Sequence, residues 1–109
     1  MIAAAHAREL ALSLPGAQER DHHGRPSFRA GGRIFATLWD ERHMNVMVDE
    51  PGIRTYVARD PLTFAEVWLG KRLAAVRVCL DRVGAAELRD VLTDAWERRA
   101  ADPRGPAQG

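Results

Sequence analysis

Two periodicities divide the chain. Over residues 3–14 the apolar positions Ala3, Ala7, Leu10 and Leu14 recur at spacings of four, three and four, which draws one stripe along a helix that Pro15-Gly16 ends. His6 and Arg8 fall off that stripe and are expected in solvent. A polar stretch at 18–23, a candidate extra edge strand, leads into two alternating runs on either side of Gly31-Gly32. Adjacent glycines suit a two-residue hairpin turn because such turns need positive φ, which other residues adopt only at a cost. With that turn Ala30 faces Arg33, Arg29 faces Ile34 and Phe28 faces Phe35. Pro26 then stands at the outer end of the first strand, where its missing N–H suits an edge.

Along the second strand, 33–39, Ile34, Ala36 and Leu38 alternate with Phe35, Thr37 and Trp39. After a polar turn at Asp40-Glu41-Arg42, Met44, Val46 and Val48 alternate with His43, Asn45, Met47 and Asp49. The implied register sets Trp39 against His43, Leu38 against Met44, Ala36 against Val46 and Ile34 against Val48. One face of this meander is aliphatic. The other carries Phe28, Phe35, Trp39 and Met47, with Trp68 as a further candidate, and is either covered by a helix or a contact surface.

Asp49-Glu50-Pro51-Gly52 reads as a helix start, with acids ahead of the first turn and proline at its beginning; the predicted helix, 51–58, stops at Asp60-Pro61. Strands are predicted at 63–69 and 73–80 around Gly70-Lys71-Arg72. A last helix shows Leu88, Val91, Leu92, Ala95 and Trp96 on one broad face, Gly84 as its cap with Glu87 three residues on, and Arg98 and Arg99 at the negative end of its dipole. The expected fold is therefore α+β: an antiparallel sheet of two hairpin or meander units packed against N-terminal and C-terminal helices. Residues 1–101 are expected to form a single domain, and the Pro- and Gly-rich residues 102–109 a disordered tail.

Charge narrows the function classes. The formal net charge is +1, which argues against polyanion binding driven by bulk composition and leaves room only for a local basic patch. Lys71 is the only lysine among 16 basic residues. The single cysteine, Cys79, excludes an intramolecular disulfide and fits a reducing cytoplasm. No signal peptide and no apolar run long enough to span a bilayer are seen, so no membrane partner is expected.

Catalytic and metal chemistry find little footing. His22 and His23 point to opposite faces of an extended strand and cannot easily share an ion; Ser27 has no nucleophile-elbow setting; no glycine-rich loop precedes a helix in phosphate-binding spacing. No enzyme activity, metal or cofactor is expected. The basic residues are more suggestive. The first hairpin carries Arg20, Arg25, Arg29 and Arg33 against Asp21 alone, and the second turn presents Lys71 and Arg72. Arg25, Arg29, Arg33, Lys71 and Arg72 are the candidate nucleic-acid contacts. They would hold phosphates without reading sequence, since no helix rich in Asn, Gln and Arg is visible. The competing explanation is a solvated sheet edge on which charge prevents edge-to-edge pairing.

Four segments in order, Ala-Leu-Ser-Leu-Pro-Gly-Ala at 11–17, His-Gly-Arg-Pro-Ser-Phe-Arg at 23–29, Arg-Ile-Phe-Ala-Thr-Leu-Trp at 33–39 and Val-Arg-Val-Cys-Leu-Asp-Arg-Val at 76–83 before a Leu and Trp helix, resemble the MmcQ/YjbR family. The resemblance implies a compact α+β domain with two β-hairpin wings, and DNA as a partner by analogy of fold. One departure stands out: Leu73-Ala74-Ala75 replaces the Gly-aromatic pair that many members carry before the last strand. A non-enzymatic protein- or small-ligand-interaction module using the apolar sheet face is the alternative, and the protein is expected to be a monomer or a weak homodimer.

Overall fold

The computed structural model describes residues 1–101, so the tail expected at 102–109 lies outside the described residues. In chain order the elements are α1 (Ala4–Leu12), β1 (Gln18–His22), β2 (Arg25–Ala30), β3 (Arg33–Asp40), β4 (His43–Val46), α2 (Glu50–Arg59), β5 (Phe64–Leu69), β6 (Arg72–Cys79) and α3 (Ala85–Ala100). The strands form one six-stranded sheet in the order β1-β2-β3-β4-β6-β5, every neighbouring pair antiparallel. The fold is α+β. The polar stretch after α1 is the edge strand β1. It covers β2, so Pro26 opposes Asp21 inside the sheet and not at its edge.

Side chains from all three helices join one side of the sheet in a single apolar core. Ala7 and Leu10 of α1, Ile53 and Tyr56 of α2, and Leu88, Val91, Leu92 and Ala95 of α3 are buried with Phe28, Ala36, Leu38, Met44, Val46, Phe64, Val76 and Val78 of the strands. The helix ends match their sequence signals. Asp49 accepts a hydrogen bond from the Gly52 N–H as the cap of α2, and Gly84 stands at the cap position of α3. Gly31 and Gly32 both have positive φ, 59° and 81°, as the tight β2–β3 turn requires.

Register is where the structure departs from simple alternation. Ala30 opposes Arg33 and Arg29 opposes Ile34, but Phe28 then opposes Ala36, leaving Phe35 as one extra residue on β3. Further along, Leu38 opposes Met44 while Asp40, not Trp39, opposes His43, so Trp39 is a second extra residue. On the other hairpin Val67 opposes Ala75 and Trp68 opposes Leu73, which makes Ala74 a third. Bulges of this kind bend a strand and sharpen its twist. Because side chains alternate with a period of two, one inserted residue also moves everything beyond it to the other face. Phe28 and Phe35 are both fully buried in the core for that reason, which removes them from the exposed interaction surface that unbroken alternation implies.

Candidate nucleic-acid interface

β4 has four residues where its neighbours β3 and β6 have eight each. Past Val46, which pairs with Ala36 and with Val76, β3 and β6 run on with no strand between them. The gap is a notch at one end of the sheet, flanked by the β2–β3 and β5–β6 turns. Its lining includes Arg29, Arg33, Arg72, Arg99, His22 and Met47, around a recess of about 440 Å³. A strand that stops leaves backbone acceptors without a ladder partner, and buried or partly buried carbonyls need one. The end of α3 supplies two: Arg99 Nε donates to the Ile34 carbonyl at 3.0 Å, and an Arg98 terminal nitrogen donates to the Met47 carbonyl at 3.1 Å.

The sheet face turned away from the helices is lined differently. A polar row crosses it, with Ser27 opposite Thr37, Thr37 opposite Asn45 and Asn45 opposite Arg77. Ser27, Thr37 and Asn45 are 0%, 6% and 5% exposed although no helix covers them. What shields them is a layer of larger side chains on the same face. The guanidinium carbons of Arg25 and Arg77 lie 3.8 and 4.8 Å from the Trp39 ring centre, within cation–π range. The Trp39 bulge also exposes its carbonyl, which accepts from Arg25 Nε at 2.8 Å. Arg77 Nε donates to Asn45 Oδ1 at 2.9 Å. Both guanidinium groups are thus fixed through Nε, and their terminal nitrogens make no further hydrogen bond among the described residues. That arrangement presents a planar donor fork already oriented.

Between this layer and the β5–β6 hairpin lies a cleft of about 460 Å³. Thr37, Asn45, Ala75 and Arg77 line it together with Trp39 and Arg25 of one hairpin and Val67, Trp68 and Leu69 of the other. His22, Met47, Leu69 and Ala74 belong to both cleft and notch, so the two are continuous. Ala74 and Ala75, the departure noted in the sequence, contribute methyl groups where larger side chains would intrude.

The candidate contacts therefore separate. Arg29, Arg33 and Arg72 come together in the notch; Arg25 lies in the adjoining cleft; Lys71 is exposed in the β5–β6 turn and lines neither. Arg25, Arg29, Lys71 and Arg72 have no carboxylate partner among the described residues. Of the candidate apolar surface, Phe28 and Phe35 are lost to the core, while Trp39 and Trp68, 38% and 47% exposed, and the half-buried Met47 remain accessible. The acids sit at the opposite end of β3. Asp40 is held below the usual carboxylate range, chiefly by the Arg42 N–H and also by His43. His22 and His23 meet edge to face at 4.4 Å, with His23 at a positive φ, and no group of three or more metal-ligating side chains occurs among the described residues.

Arg77, Arg99, Thr37 and Asn45 are residues that sequence reasoning did not single out. Arg77 had a visible signal, a cation alternating with Val76 and Val78 in a strand. Arg99 had none beyond its place at a helix end.

Together these features define an α+β domain with one helix-covered and one open sheet face, and two hairpins flanking an arginine-lined notch. The YjbR family model matches residues 12–98, and the chain belongs to the YjbR family. No curated protein and no solved structure matches the chain. No helix among the described residues is long and apolar enough to cross a membrane.

Proposed function

We propose that the protein binds nucleic acid through its phosphate backbone, with the notch as the contact surface and Lys71 reaching further phosphates from the hairpin tip. The observation that carries this reading is convergence: Arg29 and Arg33 from one hairpin and Arg72 from another line one recess, although the whole chain carries a net charge of only +1. Opposite charge is segregated, since Asp40 and Glu41 stand at the far end of β3. Every helix is packed on the core, so none is available to enter a major groove, and binding is expected to lack base-pair readout. In this reading the protein acts without catalysis, in the cytoplasm, as a monomer or weak homodimer, and needs no cofactor.

Fluorescence anisotropy with a labelled duplex at rising salt tests the proposal. Neutralising about four phosphates predicts an affinity loss on the order of 100-fold between 50 and 200 mM salt. The double substitution Arg29→Glu/Arg72→Glu should abolish binding at the lower salt. Unchanged affinity in that variant would exclude the notch as the contact surface.

A further inference from the structure

We infer that the outer edge of β5 pairs with the same edge of a second copy of the chain, joining two molecules into one continuous antiparallel sheet. The two free edges of the sheet differ. On β1 the side chains Gln-Glu-Arg-Asp-His are all exposed, and charge of that density keeps an edge from accepting another strand. β5 reads Phe-Ala-Glu-Val-Trp-Leu, with one charge and no proline. Of the five large apolar side chains exposed among the described residues, three stand on β5 or just before it: Leu62, Trp68 and Leu69, at 70%, 47% and 60%. An edge with so little charge and so much exposed apolar surface is a template for a further strand.

Backbone direction fixes how two such edges meet. The Cys79 N–H donates to the Thr63 carbonyl at 2.8 Å, so Thr63, Ala65 and Val67 turn their backbone groups toward β6, while Glu66 and Trp68 turn theirs outward. With Val67 opposite Val67 of the partner subunit, Glu66 opposes the partner's Trp68, and the N–H and carbonyl of each bond the carbonyl and N–H of the other across a two-fold axis. Other registers do worse. Centring the pair on Glu66 sets two carboxylates directly opposite each other. Centring it on Ala65 matches Glu66 with Phe64, whose N–H already donates to the Asp60 carbonyl at 3.0 Å. Centring it on Trp68 leaves only the end of the strand to overlap. In the Val67 register the open side of the sheet gains Val67 against Val67 and Ala65 against Leu69. On the helix side each Glu66, whose Oε1 accepts from its own Trp68 Nε1 at 3.1 Å and whose charge Arg54 balances at 3.8 Å, stands beside the partner's indole. The pairing is also closed, because the doubled sheet ends on the charged strand β1 at both sides. Arg29, Arg33, Lys71 and Arg72 do not belong to this edge strand, so the inference stands apart from nucleic-acid binding.

Sedimentation equilibrium of the unmodified protein at low salt, from low micromolar to near-millimolar concentration, is expected to show the mass rising from 12.1 kDa toward twice that value. Val67→Lys and Val67→Glu each set like charges opposite one another on the axis and should weaken association by at least about tenfold. Mixing the two variants sets lysine against glutamate and should restore the association that each alone has lost, since this register places residue 67 opposite itself. An unmodified protein that stays monomeric at every concentration overturns the inference and leaves the edge to a strand of another protein. Dimers that persist undiminished in both variants place the contact elsewhere on the molecule and overturn it as well. A mixture no more associated than its two components overturns the pairing about Val67. The mass of the unmodified protein decides the first point whether or not a variant folds, and circular dichroism identifies a variant that has lost its sheet.

Discussion

Arg99 Nε donates to the carbonyl of Ile34 at 3.0 Å, joining the last turn of α3 to the strand that borders the notch. The bond exists because β4 is too short to pair with Ile34. Arg99→Ala leaves that acceptor without its donor and is expected to lower stability by about 1–2 kcal/mol in urea denaturation. Arg98→Ala removes a more exposed bond to Met47 and should cost less.

The β3 bulge makes a sharp distinction between two aromatic residues. Phe35 is fully buried and Trp39 is 38% exposed. Phe35→Ala should destabilise the protein by about 3–5 kcal/mol, the usual cost of emptying a core site of that size. A near-neutral result would restore the uninterrupted register in which Phe35 faces outward beside Trp39.

Trp39 itself is coupled to the guanidinium groups on its ring. A double-mutant cycle of Trp39→Leu with Arg77→Met should give a coupling energy of about 0.5–2 kcal/mol. Simple additivity would mean that the contact contributes nothing beyond packing.

Tyr56, the only tyrosine, donates its hydroxyl to Asp94 across the α2–α3 contact. Burial first, and then Asp94, raises its pKa beyond the ordinary range near 10. The folded state therefore keeps a proton that the unfolded chain releases. Stability is expected to be level below about pH 10 with respect to this group and to fall as pH rises beyond it, and Tyr56→Phe should flatten that fall. Phenolate absorbance, which reports this residue alone, should appear together with unfolding. Titration at an ordinary pKa in the native state would contradict the burial.

At the start of α2 the capping bond and a close approach oppose each other. Asp49→Ala removes the acceptor for the Gly52 N–H and should cost about 1 kcal/mol. A Cβ at Gly52 would lie 2.9 Å from Asp49 Oδ1, so Gly52→Ala is expected to destabilise the unmodified protein. In the Asp49→Ala background that obstacle is gone, and the same change should be neutral or stabilising, because alanine is the better helix former. Thermal denaturation of the four proteins would show the reversal.

Much of the architecture was legible because it follows from local chemistry. The apolar stripe of α3, the proline and acids at the start of α2, and the positive φ demanded at Gly31-Gly32 each depend on residues within a few positions of one another. The alternation that revealed β3 did not reveal its bulges. Nothing local marks which residue of Ile34-Phe35-Ala36 lacks a cross-strand partner; the fit of Phe28 and Phe35 into one core decides it. Arg29, Arg33 and Arg72 were visible as basic residues near turns, yet sequence alone did not reveal the length mismatch that makes them line one notch.

Sequence by itself determined the elements, their order, the antiparallel hairpins and the presence of excess arginine beside two turns, since backbone propensity and hydrophobic period are properties of short segments. Only the tertiary structure decided which face each side chain occupies, where β4 stops, and hence that a notch and a cleft meet at one end of the sheet. Those outcomes depend on register between distant segments, and a shift of one residue in that register moves a side chain from the core to the opposite face.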